Sequence, residues 1–137
     1  MINTTQVTGT TITSPSLVFT SSTTGAPIGG AVTGRTSAIT TMILCNTGTP
    51  DSSDETINSA LVNVYLVSPS KGTSIGVATL VVSGLTIPAA ETVFFSDERI
   101  VLDSGDQIWV GTAYPNQNTS GGKLAGAVTV TVSSLPV

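Results

Sequence analysis

Hydrophobic and polar positions alternate most clearly near the C-terminus, over Ala127–Ser133. Val128, Val130 and Val132 are separated there by single Thr residues. Successive side chains of a strand point to opposite faces, so this alternation places the valines on one face and the hydroxyls on the other. The stretch therefore predicts a strand that packs its valines against a core.

Strand-like patterns also recur from residue 38 onward. They are short runs rich in β-branched and aromatic residues, bounded by residues that favour turns. The predicted strands are Ala38–Cys45, Ala60–Val67, Ser74–Val82, Glu91–Phe95, Arg99–Leu102 and Gln107–Tyr114. The predicted turns are Asn46–Pro50, Ser68–Gly72, Asp103–Asp106 and Asn116–Gly122.

Two of these strands allow their faces to be assigned. Ala38–Cys45 is apolar on both faces, which is typical of a central strand. Its predicted faces are Ile39, Ile43 and Cys45 on one side and Met42 and Leu44 on the other. The predicted core face of Ala60–Val67 is Ala60, Val62, Val64 and Leu66, with Asn63 and Tyr65 opposite.

About seven to nine strands, spaced about ten residues apart, predict an all-β fold. We expect a single β-sandwich with a jelly-roll-like or an immunoglobulin-like topology. One helical turn is predicted at Asp51–Asn58, capped by Ser52 or Ser53.

The N-terminal zone differs in texture from the rest of the chain. Residues 1–37 are rich in Thr, Ser and Gly and carry too little apolar surface to fold alone. Thr8–Thr13 and Ser16–Thr20 are the strand candidates within this zone. We therefore expect a sandwich domain over residues 38–137, preceded by an extended arm or by the first strands of the sandwich, and the composition favours the arm.

Charge and cysteine content narrow the possible partners. Only 9% of the residues are charged, the net charge is −4, and the four basic residues are dispersed along the chain at Arg35, Lys71, Arg99 and Lys123. Affinity for nucleic acids and for anionic membranes depends on clustered Lys and Arg, so we expect neither partner. The single cysteine, Cys45, is expected to be a buried strand residue. No signal peptide or membrane-spanning stretch is visible in the sequence.

Candidate chemistry is sparse. The chain has no histidine, which excludes Ser-His-Asp and Cys-His catalysis. A Ser–Lys pair remains conceivable, with Lys71 beside Ser70 or Lys123 near Ser120, but both lysines lie in Gly-rich turns that are expected to be solvated. We predict a non-enzymatic protein with no catalytic, cofactor-binding or metal-binding residues.

The acidic residues fall into small groups within predicted turns. These groups are Asp51/Asp54/Glu55, Asp97/Glu98 and Asp103/Asp106. A paired-carboxylate hydrolase would need two such acids in one cleft, and calcium would need several oxygen ligands from Asp51–Glu55 or from Asp103 and Asp106. Turn formation is the favoured role, because Asp bonds readily to nearby backbone N–H groups.

Several strand-and-turn patterns carry a resemblance to a known class of protein. They lie within residues 38–132, about two-thirds of the chain. The matching stretches are Cys45–Gly48, Val62–Val67, Ile87–Thr92, Val101–Trp109 and the terminal Val-Thr strand. This part of the chain resembles small virion accessory proteins of tailed bacteriophages, cyanophages especially.

The resemblance implies a β-sandwich on the outside of a virion that is assembled in the host cytoplasm. Its implied role is a capsid decoration or cement protein, a head fibre, or a neck or tail appendage. The implied partners are other copies of the chain, with a trimer as the first candidate, and phage capsid, neck or tail proteins. The alternative function is an adhesin or carbohydrate-binding module for host attachment, whose signature would be exposed aromatic residues such as Trp109, Tyr65 or Tyr114.

Overall fold

The computed structural model describes residues 2–21, 24–25, 32–33, 36–96 and 100–136. Strands dominate, and short 3-10 turns occur at Pro69–Lys71, Val77–Thr79 and Ser120–Gly122. The strands are β1 (Ile2–Val7), β2 (Ser16–Thr20), β3 (Thr24–Gly25), β4 (Val32–Thr33), β5 (Ser37–Asn46), β6 (Ala60–Val67), β7 (Leu80–Ile87), β8 (Thr92–Phe95), β9 (Ile100–Leu102), β10 (Gln107–Ala113) and β11 (Val128–Pro136).

Two antiparallel sheets pack against each other and confirm the predicted all-β sandwich. Sheet A has the order β1-β11-β5-β8, and β9 pairs with β5 beside β8; sheet B has the order β2-β10-β6-β7. The short strands β3 and β4 pair only with each other. When they are set aside and β8 and β9 are counted as one interrupted strand, the first strand pairs with the last, the second with the second-last, and so on inward. This is the pairing of a long antiparallel hairpin wrapped around a core, the jelly-roll topology rather than the immunoglobulin-like one.

The core lies between the sheets and is built largely from valine and isoleucine. Val128, Val130 and Val132 are each at most 1% exposed, which confirms the faces predicted for the last strand. Ala60, Val62 and Val64 of β6 are equally buried, and Leu66 packs against the same core. The predicted core face of β6 is therefore confirmed.

The central strand β5 differs from the prediction in one detail. Its register against β11 shifts, so that Ser133 faces Thr41 while Ser134 faces Ile39. The extra residue, Thr40, forms a bulge that rotates the following residues by one position. Ile39 therefore shares the buried face with Met42 and Leu44, and its predicted grouping with Ile43 and Cys45 is wrong.

Residues 2–21 belong to the sandwich. β1 pairs with β11 along its whole length, and β2 pairs with β10. The prediction of a strand at Thr8–Thr13 is wrong, because these residues form the connection that passes from sheet A to sheet B, whereas Ser16–Thr20 is confirmed. An arm therefore does not describe residues 2–21, and most of residues 22–35 lies outside the described residues.

Two further elements are placed differently from the prediction. The strand predicted at Ser74–Val82 begins only at Leu80, after the 3-10 turn at Val77–Thr79, and extends to Ile87. Its pairing with β6 contains two register shifts. The helical turn predicted at Asp51–Asn58 is instead a series of tight turns held by Asp side chains.

Candidate functional site

Charged side chains avoid the sheets. Among the residues that the structure describes, every Asp, Glu, Lys and Arg lies outside the strands, at one of the two loop ends of the sandwich. The first end holds Asp51, Asp54, Glu55, Glu91 and Lys123. The second holds Lys71, Asp103 and Asp106. The described outer faces of both sheets are therefore uncharged.

The outer face of sheet A exposes large apolar side chains. Ile2 is 71% exposed, Phe94 62%, Val101 60% and Leu135 57%. The register places Leu135 beside Ala38 and Ala38 beside Val101, so that these three form one row across the sheet. A soluble β-protein usually keeps such a face polar, so this surface is the first candidate for a contact surface.

Hydroxyl side chains fill much of the centre of this face, and several of them are already hydrogen-bonded within the sheet. The Thr4 and Thr131 hydroxyl oxygens lie 3.3 Å apart. Thr40 donates to the backbone carbonyl and the hydroxyl of Ser133, at 3.2 and 3.1 Å. The side chains at the centre of the face are thus polar but carry no formal charge.

Cys45 lies on the same face. It pairs with Thr129 on one side and Thr92 on the other and is half-buried. The expectation of a fully buried cysteine is therefore wrong. Met42 and Leu44 face the core, so regular alternation places Cys45 on the opposite, outer side of sheet A, which sheet B does not cover.

The outer face of sheet B carries Trp109 and Tyr65. Leu17, Trp109, Tyr65 and Leu80 form one row across its four strands. Trp109 is half-buried and its indole N–H donates to the Gln107 side chain at 2.9 Å, whereas Tyr65 is only 5% exposed. One partly accessible ring, rather than a platform of rings, is therefore available on this face.

Two buried asparagines organise the first loop end. The Asn46 side-chain amide donates to the carbonyls of Asn58 and Ile87, at 2.8 and 2.9 Å, and its oxygen accepts from the Gly48 N–H at 2.9 Å. Asn58 has a positive φ of 60° and is also fully buried. Its amide bonds Thr49 and Asn118. These bonds join the loops that follow β5 and β10.

Asp51 stands in the same end as the partner of Lys123. The hydrogen bond from the Lys123 ammonium, helped by the hydroxyl and N–H of Ser53, holds the pKa of Asp51 well below its usual range. Asp54 accepts from the Thr56 N–H and hydroxyl, which lowers its pKa in the same way. Both carboxylates thus build turns, and the serine cap predicted for this segment is replaced by aspartate caps.

At the second loop end the acids again close a turn. Asp106 is buried, and its two carboxylate oxygens accept from the Ser68 hydroxyl and from the Asp103 N–H. The Lys71 ammonium lies 2.9 Å from the Asp103 carboxylate, and this bond raises the pKa of the lysine. A lysine held in that state is a poor general base for Ser70.

The structure does not bring together the remaining catalytic and metal-binding candidates that the sequence suggested. Lys123 contacts Asp51, while Ser120 is fixed through its N–H by the Asn118 side chain. Asp97 and Glu98 lie outside the described residues. Within the described ranges, His, Cys, Asp and Glu form no group of three or more that could hold a metal ion.

The described surface includes an apolar cleft and a more open groove. An apolar cleft of about 300 Å³ opens between the sheets at the edge formed by β7 and β8, where Val82, Phe95 and Ile100 line it. A shallower groove of about 410 Å³ lies at the first loop end between Asp51, Glu55 and Glu91. Neither region holds a nucleophile paired with a base.

No protein-family model matches the chain, and no curated protein is similar to it at a significant level. None of the described helical segments is long and apolar enough to cross a bilayer. The fold and the surface together define a jelly-roll β-sandwich with uncharged outer sheet faces and charge-bearing loop ends. Such an arrangement is equipped for contact with other surfaces.

Proposed function

We propose that this chain is a non-enzymatic structural component of a tailed-phage particle. It acts there as a capsid decoration or cement protein, a head fibre, or a neck or tail appendage. Its partners are other copies of the chain and the capsid, neck or tail proteins of the virion. Neither nucleic acid nor membrane is among them.

The observation that carries this proposal is the outer face of sheet A. Four large apolar side chains are more than half exposed there, and none of the charged residues within the described ranges interrupts the face. Surfaces of this kind are found where a protein is covered by another protein. A module that is repeated many times on a particle requires such covering contacts.

Two further lines support the proposal. The jelly-roll topology is used by viral capsid domains, although lectin domains and cupins use it as well, so the topology supports the role by analogy of fold. The strand-and-turn patterns from Cys45–Gly48 to the terminal Val-Thr strand resemble those of small phage virion proteins. Asp51, Asp54 and Asp106 close turns, and the two lysines pair with aspartates of these loops, which agrees with a protein that binds rather than reacts.

Mass spectrometry of purified particles tests this function. Particles of the virus that carries the gene should contain the chain in a fixed ratio to the major capsid protein, and the ratio should survive a second density-gradient purification. Infected-cell lysate depleted of particles serves as the control. A chain that is found only in the depleted lysate would contradict a structural role.

A second candidate function is carbohydrate binding during host attachment. It is favoured by Trp109, whose partly accessible ring lies on the outer face of sheet B beside the amide of Gln107. A sugar ring stacks on such an aromatic face and bonds to such an amide. A glycan array probed with the wild-type chain and with Trp109→Ala checks this function, which requires binding that the substitution abolishes.

A further inference from the structure

The side chains on the outer face of sheet A favour one kind of partner over others. Its exposed apolar residues, Ile2, Phe94, Val101 and Leu135, surround central threonines and serines, and the described strands of the face carry no charge. We propose that a second copy of this chain covers the face, the two sheets packing face to face about a two-fold axis. The inference deepens the proposed function and rests on it.

The absence of charge favours a second copy over an unrelated partner. The described strands of an identical face bring no charge to be desolvated, whereas an average protein surface would bring charged residues without a partner opposite them. The net charge of −4 does not oppose the contact strongly, because the described acids lie at the loop ends, away from the centre of the face. Two copies of the face can therefore pack against each other without forming ion pairs.

The hydroxyls at the centre of the face can be covered at modest cost. Burying a hydroxyl is expensive only when it loses its hydrogen bonds to water and gains none. Thr4 and Thr131 bond each other, and Thr40 bonds Ser133, before any partner arrives. These central hydroxyls therefore keep their hydrogen-bond partners when a second copy covers the face.

The dimensions of the face bring it close to the lower limit for a specific dimer. Its strands are spaced about 4.8 Å apart and contain 6, 9, 10 and, for β8 with β9, 7 residues, so at about 3.3 Å per residue the flat footprint is roughly 510 Å² per copy. Specific interfaces begin at about 600 Å² per partner, and side-chain relief adds to the flat footprint. Because this is the lower end of the range, the contact is expected to be reversible and dependent on concentration.

The edges of the two sheets at β7 and at β8 with β9 are less suitable for self-association than the face. The edge strand β7 is distorted by two register shifts and by Gly84, which has a positive φ of 64° and donates its N–H to the Asn63 side chain. Such bulges hinder the addition of a further strand. The opposite sheet's edge beside β5 is divided between β8 and β9. Pairing through the face is therefore favoured over pairing through these two edges.

Sedimentation equilibrium with two matched double variants tests the pairing. F94K/V101K places two lysines on the face, and V77K/L124K places two lysines elsewhere, at side chains that are 90% and 65% exposed. Both variants change the net charge from −4 to −2. The wild type should form a reversible dimer, F94K/V101K should weaken dimerisation at least about tenfold through like-charge contact, and V77K/L124K should differ less than about threefold.

Cys45 provides a second readout that needs no substitution. Its reaction with a thiol reagent should slow as the wild-type concentration rises through the dimerisation range, and in F94K/V101K the same slowing should require a concentration at least about tenfold higher. Superimposable circular dichroism spectra would establish that both variants remain folded. If a variant does not fold, the concentration dependence of the wild-type thiol decides the question alone.

Three results would overturn the inference. They are a wild-type monomer at every concentration, equal association of both variants, and a trimer whose Cys45 reactivity does not respond to association. None of these results would remove the chain from purified particles. Failure of the face-to-face pairing is therefore distinguishable from failure of the proposed function, which the particle composition tests.

Discussion

Asn46 and Asn58 show how single side chains fix the loops at the first end of the sandwich. Asn46 ends β5 and reaches three backbone groups from inside the protein. The sequence pattern marks Asn46 only as the start of a turn, and it places Asn58 in a helical turn. Long-range partners such as Ile87 and Asn118 cannot be found from local pattern, because they depend on which strands become neighbours.

The Asn46→Ala substitution should destabilise the domain strongly. It leaves the carbonyls of Asn58 and Ile87 and the N–H of Gly48 without their partner in a buried site, and each unpaired group costs about 1–3 kcal/mol. We expect a loss of about 3 kcal/mol or more in urea unfolding. The control is Asn116→Ala, whose exposed amide bonds only Thr56, and a change within about 0.5 kcal/mol is expected there. Equal losses in the two variants would contradict the buried role.

Asp51 gives the stability of the domain a pH dependence. Its pKa is lowered in the folded state, so its contribution is complete above the ordinary value of about 3.9 and is lost as the pH falls below it, towards the folded-state pKa. Asp51→Asn should therefore melt at a lower temperature than the wild type at pH 7. The difference should shrink below about pH 4. A difference that is constant from pH 7 to pH 3 would show that the carboxylate charge is not involved.

At the scale of elements, the sequence predicts strands well where apolar residues alternate with polar ones and face the core. β11, β10, β6 and β2 lie close to their predicted positions because their inner residues alternate. β5 was predicted as a central strand, yet its faces were assigned wrongly before Thr40. A bulge is invisible in a strand that is apolar on both sides, since either register fits the pattern.

β1 and β7 show why other elements escape prediction. β1 contains the polar run Asn3–Gln6 and is held by pairing with β11 rather than by its own apolar surface. β7 is interrupted by Gly84 and begins after a 3-10 turn in which Val77 and Thr79 are themselves β-branched. In both cases the neighbouring strand determines the structure, and the local sequence carries little of the information.

Val130→Asp tests the inside–outside assignment of β11. Val130 is 1% exposed and contributes about 1.5–3 kcal/mol by burial, and an unpaired carboxylate in its place adds several kcal/mol of desolvation. We expect a largely unfolded protein, because domains of this size are stable by about 5–15 kcal/mol. Thr129→Asp, on the outer face of the same strand, should cost about 1 kcal/mol. Retention of the wild-type melting transition by Val130→Asp would contradict the assignment.

At the scale of the whole molecule, the wrapping order of the strands is the feature that the sequence does not contain. Turn spacing and alternation lead to two packed sheets, but jelly-roll and immunoglobulin-like orders share the same local signals. The order depends on pairings such as that of β1 with β11, which joins the two ends of the chain. The low charge content is visible in the sequence, whereas its consequence, two uncharged sheet faces, requires the strand register.

The distribution of charge also separates the two loop ends from the sheet faces. The ends hold the acids and lysines that form turns, and they keep the molecule hydrated. The outer sheet faces hold apolar and hydroxyl side chains. Of the two faces, that of sheet A is the more exposed. A molecule with this distribution of charge can pack an outer sheet face against a neighbour while its charged loop ends remain in water.

The most direct test of a repeated structural role is a particle reconstruction by electron cryomicroscopy. The account predicts sandwich-shaped density at symmetry-related positions on the outside of the particle, with the broad face that carries Phe94 and Leu135 turned towards another copy. Density that shows only isolated monomers with that face in solvent, or no density for the chain on the particle, would contradict it.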